Sequence, residues 1–564
     1  MLTRWGETLD KNNVLGEYPR PQMRRSSFIN LNGLWDYAFT AAGEKQPDKW
    51  DGKILVPFSP ESELSGVGRT LSPDEYLWYR RDWAKPDFGE GRVILHFGAV
   101  DQCCTVYING LRAYRHNGGY LPFEFDATGF LSKDVNELSL SVRDVSDTSY
   151  HSRGKQKLKR GGIWYTPQSG IWQTVWAECI PKDCVRSLRI TPDFDHACVN
   201  VRADIVGESK AYALFDGQQY PLPASIRVPD FEPWSPENPK LYDFSVVCGE
   251  DRVESYFAMR KFSVEADQNG VKRLFLNGKP YFHNGLLDQG YWSDGMYTAP
   301  SDEALIFDIQ TAKDMGFNML RKHIKVEPLR WYYHCDRLGM LVWQDMINGG
   351  GKYGLEISVI PFVNITLNDN NYSTFHRTDK EGRVLYYQEL EEIVDTLYNC
   401  PCIALWVLFN EGWGQFDSKK AYDKLKSLDK TRIVDSASGW HDMGKSDVIS
   451  KHIYFTPIKV KKGNRAYVLS EFGGLGLKLK GHTFNNKMFG YKVFFSRESL
   501  TEAYKRLFTK TIIPQIKDGL SATVYTQVTD VEDELNGLLT YDREVEKVDF
   551  ETLKKINERV KLND

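Results

Sequence analysis

Eight short apolar runs recur through the second half of this chain, at residues 281–287, 319–323, 340–343, 403–409, 433–436, 448–454, 467–469 and 522–525. Continuous apolar runs of this length read as strands buried on both faces, as in a parallel sheet covered by helices. Helical patterns lie between them. Ser301-Asp302-Glu303 caps a segment with Leu305, Ile309 and Ala312 on one face and Gly316 at its end, and Tyr386, Leu390, Ile393 and Leu397 mark another. Strands alternating with helices in this number imply a (β/α)8 barrel, whose working residues sit at the strand carboxyl ends.

The first half has a different rhythm. Strands at 92–97, at 105–108 before Asn109-Gly110, at 170–178 and at 241–247 are short and separated by turn signals, which points to β-sandwiches. A break at Pro181-Lys182-Asp183 divides a larger sandwich, 1–180, from a unit of immunoglobulin-domain size, 181–264; the barrel takes 265–564. A chain of 564 residues is too long for a single core, so several units are expected.

Composition narrows the function classes. The net charge of −4, with both signs interspersed, gives no footprint for nucleic acid or an anionic membrane. The start lacks an apolar signal region and no stretch is long and apolar enough to span a bilayer, so a cytoplasmic location is expected. Nine scattered cysteines read as reduced, mostly buried thiols. With no phosphate-binding glycine loop, no Cys/His metal cluster and no Gly-x-Ser-x-Gly elbow, neither cofactor nor metal is expected. The acidic run Asp530, Glu532, Asp533 and Glu534 reads as a solvated loop. Aromatic residues are dense, with 15 Trp, which permits carbohydrate binding.

Two glutamates carry the chemistry. The run 403–409 ends in Asn410-Glu411-Gly412-Trp413-Gly414, and the run 467–469 ends in Ser470-Glu471-Phe472-Gly473-Gly474. Either glutamate alone reads as a surface charge. Together, at the ends of strands four and seven, they would face each other across a barrel mouth, the arrangement a retaining glycosidase needs.

The landmarks Asn30-Leu31-Asn32-Gly33-Leu34-Trp35, Tyr107-Ile108-Asn109-Gly110, Ser169-Gly170-Ile171-Trp172, Phe317-Asn318-Met319-Leu320-Arg321, Asn410-Glu411 and Ser470-Glu471-Phe472-Gly473 resemble those of glycoside hydrolase family 2, in order and over almost the whole chain. The resemblance implies a jelly-roll domain of sugar-binding type, an immunoglobulin-like sandwich and a catalytic barrel. It implies Glu411 as acid/base, Glu471 as nucleophile, Asn410 on the sugar 2-hydroxyl and Tyr454 as a donor to the nucleophile. Arg321 and His323 fall where the family has an arginine and a histidine, although this chain reads Arg-Lys-His there. Asp288, Asp345, Trp440, His452 and Gln527 fall at or just beyond strand ends and are candidate substrate contacts, as is Trp164, in a first-domain loop resembling one that reaches the site in relatives.

The resemblance implies a carbohydrate substrate and leaves the sugar open among β-galactosides, β-glucuronides and β-mannosides. An idle carbohydrate-binding scaffold, transglycosylation and homo-oligomerisation also stay open. Glucuronidases of the family carry Asn-x-Lys after strand eight, whereas this chain reads Asn536-Gly537-Leu538, which favours a β-galactosidase-like specificity. The stretches 349–382 and 473–491 read as walls or lids, the second hinged on Gly473, Gly474 and Gly476.

Overall fold

The computed structural model describes residues 1–354 and 365–562. In the first sandwich a six-stranded antiparallel sheet faces a four-stranded one, and their inner faces bury Trp35, Leu77, Tyr79, Leu95, Phe97, Val106 and Leu140. Alternation does the sorting: along Cys103–Ile108 every second residue is buried. Asn109 and Gly110 both have positive φ, 53° and 76°, which turns this strand tightly into Leu111–Asn117. The expected strand at 170–178 is two strands, Gly170–Ile171 and Val175–Ile180, pairing with different partners.

The second sandwich has the seven strands of an immunoglobulin-like fold, three in one sheet and four in the other, around Val185, Val199, Val201, Val246 and Phe257.

The barrel strands are β1 (His283–Asp288), β2 (Met319–Lys322), β3 (Leu341–Asp345), β4 (Ile403–Val407), β5 (Ile433–Asp435), β6 (Val448–Ile453), β7 (Ala466–Gly473) and β8 (Leu520–Thr526). They form one parallel sheet in the order β5-β4-β3-β2-β1-β8-β7-β6. At the seam between β5 and β6 no ladder forms among the described residues. It is closed by hydrogen bonds from Asp447 N to Val434 O at 3.0 Å and from Val434 N to the Asp447 carboxylate at 2.8 Å.

All eight strands lie where the apolar runs placed them, but the helix alternation is incomplete. Among the described residues no helix follows β5 or β6. Their connections, 436–447 and 454–465, are short and carry Gly439, Gly444, Pro457 and Gly463. The other connections do contain helices, including Asp302–Asp314, where Ser301 accepts the Ala304 N–H, and Lys380–Leu397. The nine cysteines are free thiols.

Candidate active site

Strand β4 is wholly buried, and the chain leaves it through Asn410, which bridges to Ser438 beyond β5. Glu411 then adopts a φ of 51°, in the left-handed region that non-glycine residues rarely occupy, with Gly412 and Gly414 also at positive φ. This reversal points the glutamate into the barrel mouth. Glu471 lies within β7 itself, where the register shifts against both β6 and β8 between Leu469 and Phe472.

The two carboxylates meet around His452. Its Nδ1 is 2.8 Å from Glu411 Oε1 and 3.4 Å from Glu471 Oε2, and the closest ligand atoms of the three side chains all lie within 4.8 Å of one another. Such a trio contains metal-ligand atom types, and one pair in it, His452 Nδ1 and Glu411 Oε1, is already hydrogen-bonded. His452 Nε2 contacts Ser438 Oγ at 2.9 Å, and burial holds the imidazole down, at about 4, so near neutrality it is an uncharged bridge. Burial pushes the Glu411 carboxyl up to about 7, with Lys155 and Arg321 opposing and Glu534 adding to the shift. Burial also raises Glu471, but Tyr454 donates to its Oε2 at 2.7 Å and Arg321 Nη1 to its Oε1 at 3.2 Å.

Arg321 organises the floor. It forks onto Asp345 with two bonds of 2.9 Å, donates to Asn410 Oδ1 at 2.8 Å and to Ser470 O at 3.1 Å. His323 Nδ1 approaches Asp345 at 3.0 Å; burial alone would raise this carboxyl, but Arg321 and His323 bring it below its usual range. Because Arg321 holds Asn410 Oδ1, the amide is oriented, and its buried Nδ2 has no hydrogen-bond partner among the described residues.

The walls come from three segments. A loop of the first sandwich brings Trp164 against Trp413, with ring centroids 5.0 Å apart, and Tyr165 donates to Glu534. Arg160 of the same loop pairs with Glu532 at 3.2 Å and Asp533 at 3.0 Å. The acidic run is therefore buried and paired, not solvated, because cations from distant segments reach it; Lys547 serves Asp530 in the same way. From the third segment, Tyr491 stacks on Tyr454 with centroids 3.6 Å apart and planes 4° from parallel. Gly473 and Gly474 have positive φ, 91° and 61°, and a Cβ there would lie 2.4 Å from the Tyr525 ring and 2.2 Å from the Tyr491 ring, so backbone and close ring approach both call for glycine. The expected wall at 349–382 includes residues 355–364, which lie outside the described residues.

Family models match the chain twice: glycosyl hydrolases family 2, sugar binding domain, over residues 69–176, and glycosyl hydrolases family 2, TIM barrel domain, over residues 269–470. Together they cover more than half of the sequence. The chain belongs to glycoside hydrolase family 2. Among curated relatives of this family 2 chain, a putative beta-glucuronidase of Formosa agariphila is 25% identical over 68% of this chain and 44% of its own length. A beta-galactosidase of Leuconostoc mesenteroides is 24% identical over 75% of this chain and 42% of its own. The chain thus spans less than half the length of these relatives. Among solved structures, a beta-glucuronidase of an uncultured Clostridium sp. superposes with a TM-score of 0.74 at 18% identity, over 96% of this chain and 99% of that one. A beta-galacturonidase of Eisenbergiella tayi gives 0.73 at 17% identity, over the same shares.

Several of the expected contacts of this family 2 barrel are engaged by protein neighbours. Asp288 is held by Lys322 at 2.6 Å in a buried cluster with Glu327. Gln527 is engaged by Gln289 and Asn536, each at 2.8 Å, and braces the β8 loop. Trp440, half-buried, lies beside His452 with centroids 6.2 Å apart. Leu538 packs in the barrel core at 1% exposure instead of facing a sugar. Leu538→Lys is therefore expected to unfold the protein earlier, by about 3–5 kcal/mol as for an uncompensated buried charge, and calorimetry would measure this as a lowered Tm. Sequence reasoning missed Lys155, which comes from a first-sandwich loop with no strand-end signal, and read Glu534 as solvated; Tyr491 lies in the stretch 473–491 expected to form a wall.

Proposed function

We propose that the chain is a retaining exo-β-glycosidase whose preferred substrates are β-galactosides. The observation that carries the reading is the close approach of Glu411 and Glu471, with one carboxyl oxygen of each within 4.8 Å of the other. Retaining enzymes hold their carboxyls roughly 5–5.5 Å apart, whereas inverting ones need about 6.5–9.5 Å to admit a water. Environment divides the roles. Glu411, raised to about 7, keeps its proton near neutrality, while Glu471 is served by two donors that favour its anion.

In the first step Glu411 gives its proton to the glycosidic oxygen, the bond to the anomeric carbon breaks, and the Glu471 carboxylate bonds to that carbon while the aglycone leaves as an alcohol. Glycosylation removes the Glu471 charge. In the second step Glu411, now a carboxylate, takes a proton from water, the resulting hydroxide displaces Glu471, and the sugar leaves with its configuration retained. The unpaired Asn410 Nδ2 is the donor for the sugar 2-hydroxyl oxygen, and Tyr454 steadies Glu471 as its charge changes.

The sugar follows from charge. Glu534 is a buried acidic residue beside the proposed acid, which disfavours a uronide carboxylate there, and several curated relatives bear the name beta-galactosidase. A second reading, a β-uronidase, draws on Lys155, a cation beside the same acids, and on relatives of that name, but Glu534 at 3.7 Å offsets its charge. A panel of nitrophenyl β-glycosides decides between them. The galactoside is expected to be cleaved about a thousandfold faster than the glucuronide or galacturonide, the cost of desolvating an unpaired carboxylate. A preference for a uronide overturns the sugar assignment alone, and no turnover of any β-glycoside overturns the glycosidase reading.

A further inference from the structure

Lys155 is the most exacting side chain at the mouth. Its side chain is only 6% exposed, yet among the described residues its ammonium makes one ion pair, to Glu534 Oε2 at 3.7 Å, and no hydrogen bond. The Tyr165 ring, 5.3 Å away, is its other neighbour. An ammonium this little exposed, with no protein acceptor at hydrogen-bond distance among the described residues, keeps donors free for water or a ligand. Its position is not loose. Gly154, at a φ of 61°, is wedged against Tyr120, Tyr297 and the Ile324 carbonyl, and the Lys155 carbonyl accepts the Tyr165 N–H at 3.0 Å. The same loop carries Trp164, whose ring lies 5.0 Å from that of Trp413, two residues beyond Glu411, so the segment bearing Lys155 packs beside the proposed acid.

Glu534 is held as firmly. Tyr165 donates to its Oε2, Asn536 Nδ2 donates to its Oε1 at 3.0 Å, and Asn536 is braced by Gln527. The result is a fixed donor and a fixed acceptor 3.7 Å apart, one from the first sandwich and one from the loop after β8, beside the proposed acid. A charge pair suits neutral hydroxyl groups, each of which both donates and accepts, better than it suits an anion or a cation.

We propose that Lys155 and Glu534 together read two hydroxyls on neighbouring carbons of the terminal sugar, Lys155 donating to one and Glu534 accepting from the other. The inference rests on the glycosidase reading above and adds that the first sandwich completes the sugar pocket. These two residues set specificity rather than perform chemistry. Hydrogen bonds to charged groups of this kind are worth about 10- to 100-fold in affinity or rate.

The test pairs the variants Lys155→Met and Glu534→Gln with 3-, 4- and 6-deoxy analogues of the nitrophenyl glycoside the wild type cleaves best. The wild type is expected to lose about 10- to 100-fold in kcat/KM when either read hydroxyl is removed. Lys155→Met should lose a similar factor on the parent glycoside and no longer distinguish it from the analogue lacking one of those hydroxyls. Glu534→Gln should become indifferent to the hydroxyl on the adjacent carbon. Lys155→Arg, which keeps the charge and donors, should restore part of the discrimination. A uniform loss on parent and analogues alike, or deoxy penalties unchanged from wild type, overturns the proposal. So does a larger effect of Lys155→Met on uronides than on neutral sugars. A wild type that cleaves no β-glycoside would instead overturn the glycosidase reading, so the two failures are distinguishable.

Discussion

Glu471→Ala is expected to lose ~10⁴-fold or more in kcat, the scale on which removal of a covalent nucleophile is felt elsewhere. The structure makes this loss hard to relieve from within the site. His452 touches the same carboxylate but is neutral and committed to Glu411, Tyr454 is a donor, and Asp345 is occupied by Arg321 and His323. The substitution leaves a small space between Arg321 Nη1 and the Tyr454 hydroxyl, two donors that formerly held an anion. Azide is an anion of suitable size for that space and a good nucleophile. Added azide should restore turnover on activated glycosides and give a glycosyl azide of inverted configuration, because one displacement replaces two. Chromatography of the product and its anomeric coupling constant would read this directly. A variant that keeps near-wild-type turnover, or one that azide rescues with retained configuration, would remove Glu471 from the nucleophile's role.

The parts of this site that sequence revealed share a physical cause. Barrel strands covered on both faces cannot alternate, so β4 and β7 stand out as unbroken apolar runs, and a glutamate ending each is conspicuous. The same logic found all eight strands. It overcounted helices, because a strand's apolar run does not disclose whether its return passes through a helix or through loops like 436–447 and 454–465. Charges were read less well. Asp530, Glu532, Asp533 and Glu534 looked like a solvated run because Arg160 and Lys155 come from the first sandwich and only folding brings them over the run, while Lys547, 17 residues beyond Asp530, reaches back to it. Asp288 lies at a strand end, as expected, and its strand neighbour's side chain, Lys322, is an ion-pair partner that its position alone did not disclose. Strand position shows which residues can reach a barrel mouth, and pairing decides which of them remain available there.

Glu411→Ala should divide substrates by their leaving groups. Removing the acid raises the barrier to breaking the glycosidic bond only in proportion to how much protonation the departing oxygen needs. A dinitrophenolate leaves without help, so its glycoside should still form the glycosyl-enzyme at a rate near wild type, whereas alkyl glycosides and disaccharides should slow by about 10²–10⁴-fold. Turnover of the activated substrate would then be limited by the second step, which also lacks its base, so a burst of phenolate followed by slow release is expected. The pH profile gives an independent check. Glu411 must be protonated for the first step, and burial raises its carboxyl to about 7, so wild-type kcat/KM on a poor leaving group should fall as pH rises through about 7. On the acidic side the rate should fall as Glu471, whose carboxyl burial also raises, takes up a proton. The variant should lose the alkaline limb and keep the acidic one. Equal losses for all leaving groups, or an alkaline limb that survives the substitution, would assign the acid to another residue.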